Sequence, residues 1–223
     1  MAWWRPKEVL TEIDVERGLK LMVYDGMCSQ VMGVLTGGAF LVAFALHMGA
    51  SNKVIGLIAA LGPLTQILQI PAIYIVDWLK RRKLVATGNA FAGRLFLLAI
   101  AGIPWFVPAT YRIWALVISL SMYYGLGSIG GVAWNSWMRD LVPEKQMGSY
   151  FGRRLAIATA LGAALSLAAG VGVDLYKRHV ENEVGVYALL FIIGAGFGLV
   201  GTIFLSRCPE PQMHRTIQGY LRP

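Results

Sequence analysis

Two ionisable residues stand where charge is costly. Asp25 lies one turn into the first long apolar run of the chain, and Arg94 lies ten residues into the third. A charge at membrane depth costs on the order of a few kcal/mol unless it is paired or faces water. At about 1.5 Å of rise per residue, Arg94 falls near the middle of a membrane-crossing helix, out of reach of the headgroups. It is therefore expected to face the protein interior and to be paired. Asp25 has two readings. It is either the membrane-embedded partner of Arg94, at a proton or substrate-coupling site, or a capping or snorkelling group near the interface.

Neutral polar residues accompany these charges at helical spacing. Asp25, Ser29, Met32 and Thr36 share one face, as do Ser121, Tyr124 and Ser128. Thr65, Gln66 and Gln69 fall between Pro63 and Pro71, which interrupt the backbone ladder around them. Hydroxyls, amides and freed carbonyls at mid-membrane can replace the water that a polar solute loses. Asp25, Arg94, Thr36, Gln66, Gln69 and Tyr124 are accordingly the candidate contacts for a substrate or proton. The same residue types also join helices to one another in lipid.

Other chemistry is not indicated. His47, His179 and His214 are scattered, and Cys28 and Cys208 are far apart, so neither a metal centre nor a disulfide is expected. The glycine runs "GLGSIGG" and "GAGFGLVG" lie within apolar segments, not between a strand and a helix, so they are not phosphate loops. No enzyme, no cofactor and no nucleic-acid partner is expected.

The elements that must position these residues follow from composition. The chain is 57% hydrophobic and 14% charged, whereas soluble domains carry about 25% charged residues. Six segments reach the length of about 20 apolar residues that crosses a bilayer. They are spans 1 to 6, at 21–48, 54–76, 84–107, 113–133, 155–173 and 185–205. They lack the wet face a soluble bundle requires. The first is too long for a signal peptide and has no short basic leader. The fold class is an all-α integral membrane protein whose environment is the lipid bilayer.

Fifteen of the 20 Lys and Arg residues fall before span 1, in the 2–3 and 4–5 loops, or after span 6, and four fall on the other side. By the positive-inside rule both termini are expected in the cytoplasm. Three regions result: a cytoplasmic or interfacial segment at 1–20, a transmembrane domain at 21–205 and a cytoplasmic tail at 206–223. In the first region Trp3 and Trp4 suit the headgroup layer, and Thr11 with Asp14 forms a helix start like a capping box. A short interfacial helix is expected there. Trp134 and Trp137 are also placed at headgroup depth, with Pro143 turning the chain and Gly148 allowing a tight return. The glycine pairs Gly33/Gly37, Gly127/Gly131 and Gly194/Gly198 have the four-residue spacing of close helix packing.

Two loops carry a resemblance. "YIVDWLKRRKL" between spans 2 and 3 resembles the cytoplasmic loop motif of the major facilitator superfamily, with Asp77 as its acid and Lys80, Arg81, Arg82 and Lys83 as its basic end. Trp78 replaces the basic residue after the acid, and the glycines of the motif are missing. "RDLVPEKQMGSYFGRR" is similar to the 4–5 loop of the same superfamily at Asp140, Pro143 and Gly148, with Met147 in place of an Arg. The resemblance covers residues 20–206, and its details are similar to a bacterial branch of unassigned substrate. It implies the N-terminal six-helix half of a secondary transporter in a bacterial inner membrane. Spans 1, 2, 4 and 5 would line the path, with spans 3 and 6 outside. It implies two cytoplasmic latches, Asp77 with the basic run after it, and Asp140 with Arg153 or Arg154. Such transporters have twelve spans, and half a cavity would turn polar faces to lipid. Three explanations are expected: a truncated fragment, a half-transporter whose partner is a second six-helix half (a copy of itself or another chain), or an accessory subunit of a larger membrane complex.

Overall fold

The computed structural model describes residues 6–180 and 183–213, and among them the regular elements are all helical. Trp3 and Trp4 and the tail from 214 onward lie outside the described residues. Span 1 comprises α1 (Glu12–Thr36) and α2 (Gly38–His47), and span 2 comprises α3 (Asn52–Thr65) and α4 (Gln69–Leu79). Spans 3 to 6 are α5 (Arg82–Phe106), α6 (Arg112–Leu141), α7 (Met147–His179) and α8 (Glu183–Arg207). All six are long and apolar enough to cross a membrane.

Local chemistry sets where these helices begin and break. The Thr11 hydroxyl accepts from the Asp14 backbone N–H at 3.2 Å and the Asp14 carboxylate accepts from the Thr11 N–H, a complete capping box. The helix it starts runs unbroken into span 1, so the separate interfacial helix expected there is the first turns of α1. Span 1 bends at a glycine pair. Gly37 is extended, Gly38 is left-handed at φ +51°, and a Cβ on Gly37 would lie 2.7 Å from the Gly33 carbonyl oxygen. Span 2 breaks at Gln66–Leu68, a turn of 3₁₀ helix between its two prolines. The return between α6 and α7 is made by Pro143–Gln146, where the Gln146 N–H reaches the Pro143 carbonyl at 2.9 Å. Gly148 is already helical, and the tight return assigned to it does not occur there.

Packing joins span 3 to 4, 6 to 1, 3 to 6, 2 to 4 and 1 to 5, with lighter contacts of 1 with 4, 2 with 3 and 5 with 6. Every one of these pairings maps onto another, or onto itself, when spans 1, 2, 3 are exchanged with 4, 5, 6. Consecutive spans alternate in direction, so the exchange relates two three-helix units of inverted topology. Glycine makes the closest of the approaches. A Cβ on Gly194 would lie 2.7 Å from the Thr36 methyl, and one on Gly198 would lie 2.5 Å from the Met32 sulfur. Gly33, Gly127 and Gly131 instead face open space.

Spans 3 and 6 are the most enclosed of the six. Within the chain, 44% and 50% of their apolar windows are buried, against 11% in spans 2 and 5. Spans 2 and 5 therefore form two flanks whose large apolar side chains, Leu64, Ile67, Leu155 and Leu167 among them, are exposed. Trp137, placed at headgroup depth by sequence, turns inward. It is wholly buried in a small core with Met22, Met138, Leu141 and Cys208.

Candidate functional site

Where span 2 breaks, small residues leave room for a cavity of about 350 Å³ that is lined by both polar and apolar groups. The broken segment of span 2 contributes Thr65, Gln66 and Gln69, which flank and begin its 3₁₀ turn. Gln69 donates to the Gln66 side-chain oxygen. The opposite wall is α6, with Tyr123, Tyr124 and Ser128. The two tyrosine rings lie 5.1 Å apart, and the Ser128 hydroxyl donates to the Thr65 hydroxyl at 3.4 Å. Gly127 and Gly131 widen the space between these walls and α5. Span 3, expected to lie outside any path, supplies Asn89 and Arg94 to the wall.

Arg94 is held between this cavity and a second of about 270 Å³, which Asp25, Ser29, Trp134 and Arg154 also line. Arg94 and Asp25 are each 5% exposed, and the guanidinium Nη2 approaches the Asp25 Oδ1 at 3.7 Å and the Ser29 hydroxyl at 3.4 Å. That separation is an ion pair without a hydrogen bond. Asp25 Oδ1 and Arg94 Nη1 have no hydrogen-bond partner. Two glycines of α8 make room for the pair: a Cβ on Gly201 would lie 3.1 Å from Asp25 Oδ1, and one on Gly198 would lie 3.2 Å from Arg94 Cγ and Cδ. Of the other candidates, Gln66, Gln69 and Tyr124 line the larger cavity. Thr36 does not. Its methyl packs toward Gly194 and its hydroxyl donates to the Met32 carbonyl at 2.8 Å, so it is a packing residue between α1 and α8.

A second polar cluster lies at the basic end of the bundle. Lys80 and Arg81 are exposed, whereas Arg82 and Lys83 are buried. Arg82 is the hub. Its Nη1 donates to the Asp140 carboxylate and to the Ser136 carbonyl at 3.0 Å, and its Nη2 donates to the Pro211 carbonyl at 2.6 Å. Asp140 therefore pairs with Arg82 of span 3, not with Arg153 or Arg154. Arg153 is exposed, and Arg154 places its guanidinium 5.0 Å above the Trp134 ring and donates to the Met22 carbonyl at 3.4 Å. Asp77 is half-buried at the end of α4.

The segment after α8 closes over this cluster as a strap. The Trp137 indole N–H donates to the Pro209 carbonyl at 2.9 Å, and Cys208 is wholly buried. Backbone bonds of 2.9 Å join Lys7 to Glu210 and Gln212 to Lys7. Glu210 lies 3.9 Å from the Arg82 Nε and faces the backbone N–H groups of Arg82 and Lys83, at the start of a helix that has no side-chain cap of its own. Burial pushes the Glu210 carboxyl above its ordinary range, the opposing pull of those N–H groups and of Arg82 being smaller. Burial also pushes the Cys208 thiol up to about 12.

Asn89, Tyr123 and Glu210 were not singled out as site residues by sequence, and Arg154, expected as a latch for Asp140, instead lines the second cavity. The strap acid had one local signal, its position between two prolines in "CPEPQ". Among the described residues no cluster of His, Cys, Asp and Glu could hold a metal ion. Comparison with protein-family models, with curated proteins and with solved structures gives no match to the chain.

Proposed function

We propose that the chain is a six-helix half of a secondary transporter of the major facilitator type. It would sit in a bacterial inner membrane with the basic end in the cytoplasm, and would move a small solute by alternating access. The observation that carries this reading is the polar cavity at mid-depth, beside a broken helix and a buried charge pair. Polar side chains that only joined helices would lie between them, whereas Gln66, Gln69, Tyr124 and Arg94 line open space. The exchange relation between spans 1–3 and 4–6 supports it, because inverted repeats provide two alternative packings of equal kind. So do the loop motifs, whose Arg82 and Asp140 bond spans 3 and 4 at the basic end. The larger cavity is walled by spans 1 to 4 and open beyond them, which fits a second six-helix half closing the path.

The test is solute uptake into proteoliposomes carrying the purified chain, with protein-free vesicles as the baseline. Arg94→Ala is expected to abolish uptake, and Asp77→Asn to slow it. Full uptake by both variants would remove the assigned roles. A second reading rests on the exposed flanks of spans 2 and 5: a non-transporting subunit docked in a larger membrane complex. The mass of the gently solubilised native assembly separates the two. A dimer or a pair of six-span chains supports transport, and a stable large complex with no uptake supports the subunit role.

A further inference from the structure

We infer that the mid-depth cavity recognises a small solute through an oxyanion, a carboxylate or phosphate group bound by Arg94. Four observations converge. Arg94 is 5% exposed yet lines both cavities, and its Nη1 has no hydrogen-bond partner. Its ion pair with Asp25 is long, at 3.7 Å, so the carboxylate offsets the charge without engaging the donor fork. A second guanidinium, that of Arg154, lines the adjoining cavity with no carboxylate within ion-pair distance among the described residues, which leaves the wall with two positive charges and one negative. The rest of the larger cavity is uncharged and mixed, with the Gln66, Gln69 and Asn89 amides and the tyrosine pair among apolar groups to hold the remainder of the solute. A planar guanidinium matches the two oxygens of a carboxylate or phosphate, and a buried donor without an acceptor gains most from one. Arg94 stands twelve residues from either end of α5, about 18 Å by helical rise, so a lipid headgroup does not reach it. The Asp25 carboxylate is then the internal competitor that holds Arg94 in place when the site is empty.

The inference rests on the transporter reading for what the cavity is for, but binding is measured without transport. A chain that binds oxyanions and moves nothing fails the uptake test and passes this one. The full chain, purified in detergent, is heated in the presence of increasing sodium lactate, sodium succinate or sodium phosphate. Lactamide serves as the neutral analogue of lactate, and sodium chloride matches the ionic strength. At least one oxyanion is expected to raise Tm saturably while lactamide does not, and the arm that responds tells carboxylate from phosphate. Arg94→Gln is expected to weaken the response by about tenfold or more, the loss of a charge-assisted pair. Asp25→Asn, which keeps Arg94 and removes its competitor, is expected to strengthen the response, and it serves as the test if Arg94→Gln does not fold. Lys53→Gln, at the far end of the bundle, is expected to respond as wild type. The inference is overturned if no oxyanion shifts Tm in either wild type or Asp25→Asn, or if lactamide acts like lactate. It is equally overturned if Arg94→Gln binds as wild type does or if Lys53→Gln weakens binding as much.

Discussion

Arg82 and Glu210 show how much one buried contact can govern. The Arg82 side chain is 0% exposed and donates to the Asp140 carboxylate, to the Ser136 carbonyl and hydroxyl, and to the Pro211 carbonyl, from two other parts of the chain. Removing one member of a buried charged set costs about 3 to 5 kcal/mol, because the partners stay behind without compensation. Arg82→Ala is therefore expected to lower the thermal midpoint sharply, whereas Arg81→Ala, one residue earlier and exposed, leaves it nearly unchanged. Glu210 gives a pH dependence of defined sign. Burial raises its carboxyl above the ordinary value of 4.5. A carboxyl raised in the folded state contributes its full stability below the unfolded value and loses it as pH climbs through the folded one. Glu210→Gln keeps the shape and removes the titration. Its Tm is expected to match wild type at the acid end and to exceed it increasingly as pH rises above 4.5. A gap that is constant with pH would show that Glu210 does not titrate against the strap.

At the scale of elements, one close approach and one unusual turn make predictions. The α1–α8 contact depends on Gly198, where a Cβ meets Met32 and the Arg94 stem. Overpacking of this kind costs about 1 to 3 kcal/mol. Gly198→Val is expected to lower Tm and to disturb the Arg94–Asp25 pair, while Gly196→Ala, where a Cβ meets open space, is expected to be neutral. Lys80 ends α4 in the left-handed region at φ +51°, a conformation that costs a residue with a Cβ about 1 kcal/mol or more. Lys80→Gly is expected to stabilise the chain by about that amount, readable as a higher Tm. The break of span 2 was legible in sequence because prolines announce themselves by chemistry. The bend of span 1 was not, because "TGGAF" inside an apolar run reads equally as a packing surface. Neither the burial of Trp137 nor the true partner of Asp140 was legible. The first is set by the strap, whose residues 208–212 carry no periodicity and acquire meaning only from what they cover, and the second by how α5 meets α6.

For the whole molecule, span length was readable because apolar length is a property of the chain in one dimension. Which span meets which was not, since helices apolar all round give no preferred face from which to read a neighbour. The packing leaves spans 2 and 5 as flanks, and this can be probed with a charge. Leu167, on α7, is 76% exposed. Arg at the centre of a lipid-facing helix costs about 2.5 to 3.5 kcal/mol on insertion scales. Leu167→Arg is thus expected to reduce membrane insertion if lipid meets that flank, and to be tolerated if a wet path or a partner covers it. Glycosylation-site mapping of inserted chain measures the difference. The strap also has a consequence in time. Residues 208–212 leave the ribosome long after span 3 has been made, and Lys7 was made before any span. Arg82 consequently has no Pro211 or Glu210 to engage until synthesis has passed α8, and Lys7 waits equally long for Glu210 and Gln212. The basic end is therefore completed only after α8 has been made, and a nascent chain arrested before residue 208 leaves the Arg82 Nη2 without its Pro211 acceptor.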